Sequence, residues 1–201
     1  MRLFYSTTSP YARIARVALA EKGVADLDRT LTDPWNDAPE LLAANPSARV
    51  PALVLDSGLP LTESLLIVLW LETQRPQPSL LGASPDRAIA RAGVAMGAID
   101  AAAAIIISRR IDPAFDESPV GLRRRRSVVQ ALQRLEADPP TLGDGTADLT
   151  TITAVVLLDY IRFRFATAPW VPATPRLDAL AARARLRASF ADTSPREMPQ
   201  P

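Results

Sequence analysis

A stretch rich in proline and glycine, residues 74–85 with Pro76, Pro78, Gly82 and Pro85, cuts this sequence into two parts with different periodicities. That composition resists both helix and ladder and reads as a linker. Before it, short apolar runs alternate with helical patterns; after it, every pattern is helical. The switch predicts an α/β domain over residues 1–75, a linker over 76–85 and an all-helical domain over 86–201, and 201 residues are enough for two small cores.

In the first part, Leu3-Phe4-Tyr5 is an apolar run short enough to be a buried strand. Ser9 then fits a helix N-cap and Pro10 the first helical position. Ile14, Val17, Ala18 and Leu19 recur at helical spacing, and Gly23 supplies the stop. A weaker strand follows over 26–31, then a short helix over 38–45 that Asn45-Pro46 breaks. A strand over 49–55 turns at Asp56-Ser57-Gly58 into a possible partner at 59–61. Thr62-Glu63-Ser64 opens an apolar helix to about residue 72. Beyond the linker, helices are predicted over 86–111, 119–137, 150–165 and 175–190, with a loosely ordered tail from Thr193.

Composition removes whole classes of chemistry. With no cysteine there is no disulfide, no zinc thiolate site, no CxxC redox pair and no cysteine nucleophile. With no histidine, a Ser-His-Asp triad and a histidine metal site are also excluded, so no metal is expected. A net charge of +1 gives no reason to expect a nucleic-acid partner. The run Arg123 to Arg126 has no aromatic residue beside it in sequence and reads as a solvated helix face. The first residues lack a signal-peptide pattern. The longest apolar run, 101–107, falls well short of the roughly 18 residues that span a bilayer, so no membrane partner and a cytoplasmic location are expected.

Three short motifs carry chemistry, and each has a plain structural reading. Ser9-Pro10-Tyr11 with Arg13 places a hydroxyl at a helix start, where free N–H groups and the dipole favour an anion such as a thiolate; alone, it is an N-cap. Val50-Pro51 at a strand head is a candidate cis peptide that would turn the Val50 main chain toward a peptide ligand; alone, it is a trans proline on an edge. Glu63-Ser64 at another helix start can take a carboxylate on its N–H groups and an ammonium on Glu63; alone, Thr62 or Ser64 is a cap.

Taken in order, Ser-Pro-Tyr-x-Arg near residue 10, Asn-Pro then Arg-Val-Pro-Ala-Leu near 50, and Glu-Ser near 64 resemble the glutathione S-transferase family. Leu157-Leu158-Asp159-Tyr160-Ile161-Arg162-Phe163 and Ala188-Ser189-Phe190 are similar to bacterial members of the serine type. The resemblance implies a thioredoxin-like N-terminal domain, a four-stranded mixed sheet with helices, followed by a helical-bundle domain. It implies glutathione as co-substrate, no metal and a homodimer. Ser9 would activate the thiol, with Tyr5 the rival hydroxyl and Thr7 and Thr8 weaker ones. Val50 and Pro51 would meet the cysteinyl part, Glu63 and Ser64 the γ-glutamyl end, and Arg49 the glycyl carboxylate. A small electrophilic or apolar second substrate would rest near Tyr11 and the long helix of the second domain, with Ala102, Ile105 and Ile106 as a small apolar wall and Arg109 or Arg110 as an anion contact.

The energetics of that role are adequate. Lowering a thiol from a pKa of about 8.5 by roughly two units takes ~2.7 kcal/mol. One hydrogen bond to a charged group contributes about 1.5–3 kcal/mol. A thiol–disulfide oxidoreductase is incompatible with a chain lacking cysteine. The rival class is a non-catalytic protein that uses the same fold for ligand carriage or protein contacts. One departure from the family pattern stands out: Thr150 aligns with the cap of the buried helix, but Thr153 stands where relatives carry an aspartate.

Overall fold

The structure, a computed structural model, describes residues 1–143 and 145–199. It contains two compact units. One comprises Met1–Leu80 together with the residues from Arg187 onward; the other is Leu81–Leu186.

The first unit is built on four short strands: β1 (Arg2–Tyr5), β2 (Asp28–Leu31), β3 (Ala52–Val54) and β4 (Pro60–Thr62), in the order β2-β1-β3-β4. β1 and β2 are parallel, which requires a crossover, and α1 (Pro10–Glu21) supplies it. β3 runs antiparallel to both β1 and β4, with Leu3 opposite Leu53 and Leu53 opposite Leu61. The β3–β4 turn needs Gly58, whose φ of +84° is open to glycine without strain. Helix α2 (Pro39–Ala44) precedes β3, and α3 (Ser64–Gln74) follows β4 and packs on α1. Phe4, Ala12, Leu41, Ala44, Val50 and Ala52 form one buried cluster. This is the α/β domain the alternating pattern predicts, in the thioredoxin-like arrangement the resemblance implies.

The far ends of α1 and α3 are locked together. Lys22, the C-cap of α1 and the single lysine of the chain, is buried and donates to Arg75 O and Pro78 O, each at 2.6 Å, and pairs with Glu72. Glu72 in turn accepts from Leu80 N–H at 2.8 Å and from the Ser79 hydroxyl at 2.9 Å. The expected linker is therefore fastened to the first unit as far as Leu80, which is fully buried.

The second unit holds α4 (Pro85–Ser108), a 3-10 turn (Phe115–Glu117), α5 (Pro119–Ala137), α6 (Leu149–Arg164) and α7 (Pro175–Ala184). Every residue of α6 from Leu149 to Ile161 is buried, so this helix is its centre. Helix α4 packs on α5 and α6 through its alanine face, Ala88, Ala92, Ala95 and Ala102 among them. Contrary to the expectation drawn from the 101–107 run, α4 is long and apolar enough by length and composition to cross a membrane. Its small residues make the apolar stretch hard to see, and here many of them are buried in the helical unit.

Two further expectations are corrected. The N-cap of α6 is Asp148, which accepts from Thr151 N–H at 2.8 Å; Thr150 lies inside the helix, and Thr153 bonds back to Leu149 O at 2.8 Å. The charge missing from the third position is thus supplied by the cap itself. The helix expected over 175–190 stops at Ala184, and α8 (Ala188–Ala191) belongs to the first unit. The domain predicted to run from 86 to 201 therefore gives up its end. Fully buried Phe190 and a bidentate Arg187–Glu21 pair, at 3.0 and 2.7 Å, hold that segment on α1. The tail is not loose at Thr193, which is buried; residues 200 and 201 lie outside the described residues.

Candidate functional site

Ser9 has the extended backbone of an ordinary N-cap (φ −78°, ψ 120°), and its Oγ accepts from Ala12 N–H at 3.2 Å. The plain reading of this serine is therefore correct. It is also incomplete, because a hydroxyl that accepts through one lone pair keeps its own proton to donate. Ser9 is half-buried, at the positive end of a 12-residue helix.

Three neighbouring hydroxyls have partners of their own. Ser6 Oγ and Thr8 Oγ1 bond each other at 3.0 Å, and buried Thr7 donates to Met198 Sδ at 3.3 Å. The Tyr5 ring is covered by the Arg16 guanidinium at 4.6 Å. Arg16 has a lowered pKa, chiefly from burial. Arg13 of the motif does not face a ligand. It is buried, with Nε 3.4 Å from Thr193 Oγ1 and Nη2 3.4 Å from Phe190 O.

The second motif sits in a loop that Asn45 builds. Its amide donates to Arg49 O at 2.8 Å, and its side-chain oxygen accepts from Ser47 N–H at 3.1 Å. The Val50–Pro51 bond is cis, both residues are buried, and Val50 lies two residues before Ala52, the first paired residue of β3. A second cis bond, Gln77–Pro78, is in the linker.

Glu63 is the unusual residue. It caps α3 with φ +64° and ψ 123°, a backbone that a residue with a Cβ rarely adopts. Its carboxylate makes no cap hydrogen bond, and neither Thr62 nor Ser64 is the N-cap. The first-turn N–H groups of α3 have no acceptor within the helix. Ser64 is buried beside them.

Arg49 joins these parts. Its guanidinium lies 5.8 Å from the centre of the Tyr11 ring on α1 and 3.5 Å from Glu63 Oε1 at the head of α3. Ser9, Tyr11, Arg49, Val50, Pro51, Glu63 and Ser64 thus belong to one unit, and Arg49 reaches both helix starts. The chemistry on offer is a hydroxyl donor and helix N–H groups for anions, with one carboxylate for a cation.

The remaining predicted residues belong to the helical unit. Ala102 is fully buried there and cannot form an open wall; Ile105 is also buried, and Ile106 is half-buried. Arg109 is not a free anion contact. It makes a bidentate pair with Asp116 at 2.7 and 2.6 Å and covers the Phe165 ring at 4.9 Å. The Arg109 hydrogen bonds hold the Asp116 carboxyl below its usual range, against its burial. Of the basic run, Arg123, Arg124 and Arg126 are solvated as expected, but Arg125 packs over Trp170 at 5.3 Å.

The lock of Lys22 and Glu72 was not foreseen. Its signal was a lone lysine in a chain whose other basic residues are all arginine.

Comparisons with known proteins agree with this fold. The family model for the glutathione S-transferase N-terminal domain matches residues 8–74. A glutathione S-transferase from Methylobacterium radiotolerans, solved in complex with glutathione sulfonate, is 32% identical with a TM-score of 0.88, over 100% of this chain and 97% of that one. A second, from Methylobacillus flagellatus with glutathione bound, is 30% identical with a TM-score of 0.84, over 96% and 98% of the two chains. The GST-like protein YibF of Escherichia coli is 29% identical over 97% of this chain and 98% of its own length. A thioredoxin-like unit with a helical unit after it defines the class. This chain belongs to the glutathione S-transferase family.

Proposed function

We propose that this protein is a glutathione transferase of the serine type, in which the Ser9 hydroxyl donates a hydrogen bond to the glutathione thiolate and so keeps it ionised for attack on a small electrophile. The observation that carries this reading is Arg49, whose contacts with Tyr11 and Glu63 tie the start of α1 to the start of α3. A tripeptide laid between them would have its sulfur at Ser9 and its γ-glutamyl carboxylate on the N–H groups of Ser64 and the next residue. Glu63 would hold the ammonium, Val50 the cysteinyl main chain, and Arg49 the glycyl carboxylate. Glutathione bound to one structural relative and glutathione sulfonate bound to another support the choice of ligand.

The acid–base demands are modest. Ser9 need not lose a proton; it only has to favour the ionised thiol, and its capping bond from Ala12 N–H polarises the hydroxyl toward donation. The test is retention on immobilised glutathione followed by conjugation to a generic aromatic electrophile. The expected result is binding with turnover that Ser9→Ala sharply lowers. Binding without turnover on any electrophile would instead identify a carrier.

The working form is proposed to be a homodimer. Helix α3 is apolar on all sides from Leu65 to Leu71, and Leu66 and Leu69, one turn apart, are 58% and 57% exposed. Sedimentation equilibrium should give twice the chain mass, and Leu66→Glu should give the monomer.

A further inference from the structure

The end of the chain grips the loop that carries Ser9 from both sides. After Ser9, the first turn of α1 contains Arg13, whose N–H donates to Ser9 O at 3.1 Å and whose guanidinium reaches Phe190 O and Thr193 Oγ1. Before Ser9, buried Thr7 is bonded through both its main-chain and side-chain oxygens to the last residues. Arg196 N–H donates to Thr7 O at 3.3 Å, and the Thr7 hydroxyl donates to Met198 Sδ at 3.3 Å. Between these grips, residues 6–9 have no regular structure, and the bonds between Ser6 and Thr8 are internal to the turn.

We propose that this C-terminal strap positions the Ser9 hydroxyl, with Thr7 and Met198 as positioning residues, and thereby tunes how strongly the site ionises a thiol. The inference rests on the reading of Ser9 given above. A thioether is a weak acceptor, so the Met198 contact is small in itself. Its effect comes from where it acts. The strap is rooted by buried Phe190, by the Arg187 and Ser189 bonds to Glu21 and by Arg16 donating to Asp192 O at 3.0 Å, so its tip is held against Thr7 by contacts that do not involve the site. A hydrogen bond to a thiolate depends steeply on distance and angle, and small misplacements of a reacting group are costly.

The experiment compares the full chain with a chain ending at Ser194, with Met198→Leu and with Thr7→Val. Two quantities are read: the pKa of bound glutathione, from the ultraviolet absorbance of its thiolate against pH, and amide hydrogen exchange over residues 7–12. The shortened chain keeps Phe190, Arg13 and Thr193, so its melting temperature should stay close to that of the full chain. Its bound thiol should be harder to ionise, with kcat/KM at neutral pH about three- to tenfold lower and exchange over 7–12 faster. Met198→Leu and Thr7→Val should move the same quantities in the same direction by less. An unchanged thiol pKa in the shortened chain, with or without faster exchange, overturns the proposal, because the strap would then be only structural. If the full chain binds glutathione without ionising it, or does not bind it, the Ser9 reading fails first and the positioning role falls with it.

Discussion

The two helix starts in the first unit are built in opposite ways. Ser9 has ordinary cap dihedrals and satisfies a first-turn N–H with its own side chain. Glu63 is held at φ +64°, leaves the first turn of α3 without a side-chain cap and turns its carboxylate toward Arg49. One end is finished by the chain itself; the other is kept open in a backbone that costs about 1–3 kcal/mol. A ligand would add one hydrogen bond to the first and most of the polar partners of the second. At their far ends the two helices are alike, since Lys22 and Glu72 bind both to one point.

The largest effect should come from breaking that common anchor. Lys22→Met leaves Glu72 buried without its cation and should destabilise the fold by about 3–5 kcal/mol in chemical denaturation. The pH dependence follows from Glu72. Burial pushes its carboxyl up, but hydrogen bonds from Lys22, Leu80 N–H and Ser79 outweigh this and leave it below the usual glutamate range. A carboxyl lowered by folding contributes its stability above the ordinary glutamate value of about 4.3 and loses it as pH falls through the folded value. The gap between the parent protein and Lys22→Met should therefore narrow in acid.

Ser9→Ala sharpens the contrast from the other side. Activity should fall about 10- to 100-fold as the hydrogen bond to the thiolate is lost. Stability should fall by only ~1 kcal/mol for the missing cap. At the second start, Glu63→Gly removes both the strain and the carboxylate, so it should raise the melting temperature while weakening glutathione binding about tenfold. Glu63→Ala removes the carboxylate alone and should weaken binding without the gain in stability. Calorimetry on the pair separates backbone from charge. Smallest of all, Arg49→Ala should cost at most about 1 kcal/mol in stability, because its pair with Glu63 is exposed on both sides.

Much of this was legible in the sequence because it is local. Ser9-Pro10 announces a helix start through a missing N–H and a capping oxygen, and Asp56-Ser57-Gly58 announces a turn through the φ that Gly58 adopts. The residues of the first-unit site were legible for the same reason, each lying at an element boundary. What escaped depends on contacts between distant parts of the chain. The Thr193 tail reads as loose by its prolines, yet Arg13, 180 residues earlier, holds it. Ala102 and Arg109 look like a pocket wall with an anion contact, but whether a helix face is open depends on its neighbours; one packs into the helical core and the other is neutralised by Asp116. The cap of α6 was misread by two residues because aspartate and threonine both serve as caps and stand close together there.

Crystallising the full chain with glutathione reads both helix starts at once. The expected structure has the sulfur within hydrogen-bond distance of Ser9 Oγ and the γ-glutamyl carboxylate on the N–H groups that open α3. A sulfur turned away from Ser9, or a tripeptide bound without touching Glu63 and Ser64, would contradict the shared site on which the rest depends.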